Sequence, residues 1–195
     1  MTRDGARVRR RLRTIGAALL LPLTRHAPAG TEPMTAQRGR IEAAFMRNFA
    51  RYVAWPTVAF ANERTPWTVC IVGDGHFDGA LESTFQGRTE QGRGFEIVRA
   101  GAANELPPCQ IAYIGLEAAA QRRAALATLR KQPVLTVGNA SEFMQEGGII
   151  RLLAGERIEM SINLDQARAV SIGIPAKMLE LAREVLENGA VRRLR

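Results

Sequence analysis

The chain has 195 residues, 46% hydrophobic and 24% charged, a composition that suits one globular domain of roughly 150 residues plus a short extra segment. No uninterrupted apolar run reaches the roughly 18 residues that a membrane-spanning helix needs. The net charge of +8 would fit a nucleic-acid binder, but seven arginines and one aspartate within residues 1–29 supply six of those eight charges, so no basic binding face remains in the rest and no nucleic-acid partner is expected.

Residues 1–29 have the three parts of a secretory signal. An arginine-rich start ends at Arg13, an apolar core runs from Ile15 to Leu23, and Ala27-Pro28-Ala29 supplies a small-x-small cleavage pattern. Cleavage is expected after Ala29. The run Arg9-Arg10-Arg11 would also serve a twin-arginine route. The Sec-type route is favoured, because nothing calls for export of a prefolded cofactor protein. The alternative is a basic tail with no targeting role. The apolar core is too short to stay as an anchor, so the expected location of the mature protein is the periplasm.

Residues 30–39 read as a linker, and residues 40–190 as a single α/β domain. From Arg40 to Ala54 the residues Ile41, Ala44, Phe45, Phe49, Tyr52 and Val53 recur at spacings of three and four, which predicts an amphipathic helix. Pro56 ends it through its restriction on Trp55. The segment 43–56 is rich in large aromatics; core packing is the favoured explanation, and an oligomer or partner surface for part of it is the alternative. Trp67–Gly73 is a β-branched run closed by glycine and predicts a buried strand. A short helix around Phe77–Phe85, a flexible loop from Gly87 to Gly94 and an alternating strand, Phe95–Arg99, follow. Gln110–Gly115 predicts a third strand, Glu117–Arg130 a helix, and Val134–Gly138 a fourth strand. Ser141 is placed to cap a helical turn holding Phe143 and Met144. Ile149–Leu153 and Arg157–Asn163 predict a hairpin with a three-residue loop. A last helix is expected from Pro175 to Asn188, with Gly189 just beyond its end. This order implies helices sandwiching a mixed sheet of about six strands, a Rossmann-like three-layer arrangement.

Residues that could carry chemistry are few. Beyond the leader the only histidine is His76, and no G-x-S-x-G elbow accompanies it, so no catalytic residue is assigned. Gly73-Asp74-Gly75 sits between a strand and a helix, but Asp78 breaks the dinucleotide-binding spacing and two acids there would repel a pyrophosphate, so no cofactor is expected. Asp74 and Asp78 lack further ligands for a metal. Asn139-Ala140-Ser141 matches a glycosylation sequon without weight in a chain with a bacterial-looking leader. The loop Arg88–Arg93 contains Glu90 and reads as solvated, not as a phosphate site. Cys70 and Cys109 take their meaning from the address: an oxidising compartment permits their single possible pairing, and otherwise they are two buried thiols.

Several motifs in order resemble the YfiR family. They are Ala44-Phe45-x-x-Asn48-Phe49-x-x-Tyr52-x-x-Trp55-Pro56, Cys70-Ile-Val-Gly73-Asp74, Cys109-x-Ile111, Val134-Leu-Thr-Val137, Phe143-x-x-x-Gly147-Gly148-Ile149-Ile150 and Ile162-Asn163-Leu164-x-x-Ala167. The resemblance spans about Arg40 to Leu186. It implies a periplasmic, non-enzymatic regulator that restrains a membrane-anchored diguanylate cyclase or sensor protein and so holds down cyclic-di-GMP signalling. An outer-membrane lipoprotein as sequestering partner, a homodimer, and redox sensing through disulfides are implied as well. It also implies a Cys70–Cys109 disulfide, and partner contact through Ser161, Asn163, Leu164 and Ala167. A second cysteine pair common in the family has no counterpart here, and Ser161 stands where many members carry an acid. A switch through that second bond, and an ion pair from position 161 to the cyclase, therefore do not carry over from the family to this chain. The competing reading is a periplasmic small-molecule binding module feeding a sensor, its pocket near Gly73–His76 and Gly138–Ser141. A hydrolase is disfavoured by the shortage of histidine.

Overall fold

The computed structural model describes residues 34–73, 76–155 and 157–194. Its first strand, β1 (Trp67–Gly73), is buried along Trp67–Val72, which is why that run is continuously apolar and not alternating. Val69 and Ile71 point to one face of the sheet and Cys70 and Val72 to the other, and the two faces feed separate cores. On the first face, α1 (Met34–Tyr52) and α2 (Ala80–Phe85) lay Ala43, Met46, Phe49, Leu81 and Phe85 against Val69, Ile71 and Tyr113. On the second, α3 (Ala119–Leu129) brings Ala125, Leu126 and Leu129 onto Cys70, Val72, Ala112 and Ile114.

The remaining strands are β2 (Phe95–Ala100), β3 (Ile111–Gly115), β4 (Leu135–Gly138), β5 (Ile150–Ala154), β6 (Ile158–Asn163), β7 (Glu184–Glu187) and β8 (Ala190–Arg193). Two short helices, α4 (Leu164–Ala169) and α5 (Ala176–Leu181), separate β6 from β7. The strand order is β2-β1-β3-β4-β5-β6-β7-β8. Pairing is parallel from β2 through β5, antiparallel in the hairpin β5–β6, parallel between β6 and β7, and antiparallel between β7 and β8. The fold is thus the expected α/β sandwich about a mixed sheet, in one domain, with eight strands instead of about six.

The two added strands correct the predicted last helix. That helix is only Ala176–Leu181, with Pro175 as its N-cap, and Ala182 is already extended. Val185 is fully buried because the free edge of β6 pairs Ser161–Asn163 with Glu184–Leu186. Asn188 and Gly189 both have positive φ, 53° and 72°, and form the turn of a hairpin; the pair read as a helix stop is a two-residue hairpin loop. At the other end α1 begins at Met34, inside the expected linker. Gly39 is buried there against the His76 carbonyl oxygen, with no room for a Cβ.

Candidate functional site

The sheet's order reverses between β1 and β3, and in open α/β sheets ligands settle at the carboxyl ends of the strands flanking such a point. A cleft of about 380 Å³ lies there, lined by Gly73, Gly115, Leu116, Glu117, Ala118 and Gln121. Asp74 and Gly75 fall outside the described residues. In the other half of the expected pocket, at Gly138–Ser141, Gly138 is covered while Ser141 is exposed. The Phe143 ring lies between Gly138 and Gly148, where a Cβ would come within 2.4 and 2.2 Å of its atoms. The Gly148 N–H donates to the Phe143 carbonyl at 2.8 Å. Gly148 of the Gly-Gly motif is therefore room for an aromatic plug, while Gly147 serves a φ of 97°.

His76 is tied to the interior. Its Nε2 lies 3.0 Å from Oε2 of Glu42, a fully buried carboxylate on the inner face of α1, although neither atom meets hydrogen-bond geometry. Arg38 Nε donates to the other Glu42 oxygen at 3.2 Å. The Tyr113 hydroxyl lies close by without a hydrogen-bond partner, and burial, then the Glu42 charge, push its phenol well above the ordinary value. His76 stacks on Phe77, which meets Tyr113 edge-on at 4.9 Å. This cluster clamps α1 to the β1–α2 connection. A signal for it was present: Glu42 is an acid within the stripe Gly39, Glu42, Met46, Phe49.

The loop expected to be solvated is pinned instead. Glu90 is buried and accepts bonds from Arg47 Nε at 3.0 Å and from Arg51 Nε and Nη2 at 2.9 and 2.7 Å. Arg51 first, with Arg47 adding to it, holds the Glu90 carboxyl below its usual range. Trp67 Nε1 donates to the Glu90 carbonyl at 2.9 Å. The spacing of Arg47 and Arg51 on one helix face was the only local hint.

Cys70 and Cys109 form a disulfide, with Cα atoms 6.1 Å apart. It joins the middle of β1 to the chain entering β3. Beside it, Gln110 Oε1 accepts from the Thr68 N–H at 2.8 Å, and the Gln110 carbonyl accepts from Trp55 Nε1 at 3.1 Å. The Trp55-Pro56 motif thus seals the same end of the sheet that the disulfide fastens.

The segment implied in partner contact is mostly interior. Ser161, Asn163, Leu164 and Ala167 are all buried. Asn163 caps α4 by accepting the Gln166 N–H at 3.0 Å and donates its amide to the Met144 carbonyl at 3.1 Å. Ser161 stands across from Arg151 on β5 and from Glu184 on β7. An acid at 161 would therefore face Arg151 of its own sheet; the Arg151 Nε is buried and has no hydrogen-bond partner among the described residues. What the segment offers outward is Arg168 and Ala169, with Asp165 and Gln166 half-buried.

The exposed side of α1 carries Ala44, Asn48 and Tyr52, so Ala44 and Tyr52 of the expected apolar stripe lie outward, while Ala43, Met46, Phe49 and Ala50 fill the core. Tyr52 opens onto an apolar groove of about 280 Å³ with Pro175, Met178 and Leu181, and Lys177 at its edge. Among the described residues no helix is long and apolar enough to cross a membrane, and no group of three or more His, Cys, Asp or Glu could hold a metal ion.

No curated protein shows significant similarity to the chain. The YfiR/HmsC-like family, however, matches residues 39–183, which takes in β1 to α5, the disulfide, the Phe143 plug and the Glu42–His76 clamp, and the chain belongs to that family.

Proposed function

We propose that this protein is a periplasmic regulatory binding protein that restrains a membrane-anchored diguanylate cyclase or related sensor. Membership of the YfiR/HmsC-like family is the observation that carries the reading. The surface supports it: Tyr52 and Leu181, 60% and 59% exposed, flank an apolar groove that a protein partner would cover. In this reading residues 1–29 direct export and are removed, residues 30 onward form the mature protein, and a homodimer and an outer-membrane lipoprotein are further partners. Partner contact near Ser161–Ala167 runs through the outward side chains of α4, with the four buried residues holding the segment in shape. Restraint requires only that the regulator bind the cyclase's inactive conformation more tightly than its active one; a difference of about 3 kcal/mol shifts the equilibrium by roughly a hundredfold.

The test is purification of the exported chain and addition to detergent-solubilised diguanylate cyclases of the same cell. Co-elution with one of them and a fall in its cyclic-di-GMP synthesis are expected. Unchanged synthesis by every cyclase tried, or an uncleaved product confined to the cytoplasm, would overturn the proposal.

A further inference from the structure

Away from the groove, a cavity of about 260 Å³ lies between α3, the turn 141–147 and α4. The exposed Arg123 and Arg130 line it with Gln145 and Gln166, beside Leu126 and Ala127. Its one carboxylate, Glu146, is already engaged: Arg122 Nε and Nη2 donate to its two oxygens at 2.5 and 2.9 Å, in a buried fork. Arg122 also donates to the Leu116 and Glu117 carbonyls, which fixes the fork and the turn behind it. Arg123 Nη1 lies 3.7 Å from Glu146, beyond hydrogen-bond reach. Among the described residues the Arg130 guanidinium has no acceptor at all. Gln166 donates its amide to the Arg130 carbonyl at 2.9 Å, which holds α4 against the end of α3 and keeps the pocket's shape.

The lining therefore presents two guanidinium groups with unused donors and neutral amides beside them. We propose that this pocket binds a small organic polyanion, a di- or tricarboxylate or a phosphate ester, with Arg123 and Arg130 as its charge-bearing contacts. The volume lies below the roughly 300–1,000 Å³ of drug-sized sites and selects a small metabolite. Two guanidinium groups side by side favour a ligand with several anionic groups over one with a single charge.

Calorimetric titration of the exported chain with citrate at low salt tests this, with inorganic phosphate as the second probe. Citrate is expected to bind saturably, and phosphate on the order of tenfold more weakly. Arg130→Gln and Arg123→Gln should each weaken citrate on the order of tenfold while the ligand-free melting temperature stays unchanged. Arg64→Gln, an exposed cation on the loop before β1, should leave citrate binding intact. Absence of citrate binding, phosphate binding as tightly as citrate, or equal weakening by Arg64→Gln would each overturn the proposal.

Discussion

Between β1 and β4 the sheet is parallel and covered on both faces, by α1 and α2 on one side and α3 on the other. Between β5 and β8 it contains two antiparallel hairpins, with Met160, Ile162 and Val185 packed into the first core and the opposite face only partly covered. Arg151, Leu153, Glu159, Glu184 and Leu186 are half-buried on that face, and all of β8 is exposed. The difference follows from connection length. Parallel neighbours need a crossover long enough to carry a helix, which then shields a face, whereas a hairpin brings no cover with it. The polar row Arg151, Ser161, Glu184, Arg193 crosses the half where burial is incomplete.

The largest expected effect breaks the covered half. Phe143→Ala would empty the slot between Gly138 and Gly148, for a loss of about 3–5 kcal/mol by chemical denaturation. A much smaller loss would mean that the two glycine backbones collapse onto each other. Next, Cys70→Ser should cost roughly 3–4 kcal/mol, given the separation of 39 residues between the cysteines, and reductant should lower the wild-type melting temperature by the same route. No shift with reductant would show that the bond does not form in solution.

Gly189→Ala, at a φ of 72°, should destabilise by about 1 kcal/mol and loosen only the β7–β8 hairpin, as read by amide exchange. Loss of protection throughout β1–β4 would erase the distinction between the halves. The same hairpin should be acid-sensitive. Asp165 accepts the Gly189 and Asn188 N–H groups at 2.8 Å each, and these bonds hold its carboxyl below the ordinary 3.8. A depressed folded-state pKa contributes stability above the unfolded value, and that contribution is lost as pH falls below it. Protection of β7–β8 should thus decline below about pH 4 in the wild type and be flat in Asp165→Asn. The smallest effect is Val191→Ala on the exposed edge strand, within about 0.5 kcal/mol.

Much of the covered half was legible as local pattern. Trp67–Gly73 has the bounds read from its β-branched run, and Ile111–Gly115 and Leu135–Gly138 begin one residue later than expected, because continuous burial leaves an apolar signature. The hairpin β5–β6 was legible from two strand-like runs joined by a three-residue loop. The C-terminal hairpin was not, since Asn188-Gly189 serves equally as a helix stop and as a hairpin turn. Only the unpaired edge of β6 decides between them. The polar contacts were equally hidden: Glu42 with His76, Glu90 with Arg47 and Arg51, and Arg122 with Glu146 each join residues at least 24 apart in sequence.

By itself the sequence determined the α/β class, the amphipathic first helix, the central strands, and the only cysteine pairing possible in this chain, since each follows from short-range spacing or from a count. The tertiary structure alone decided that the sheet extends to eight strands, that Phe143 covers Gly138 at one end of the expected pocket, and that Ser161, Asn163, Leu164 and Ala167 face inward. These outcomes depend on which edges and faces remain unpaired once the chain has folded back on itself, and that information is carried by contacts between distant residues.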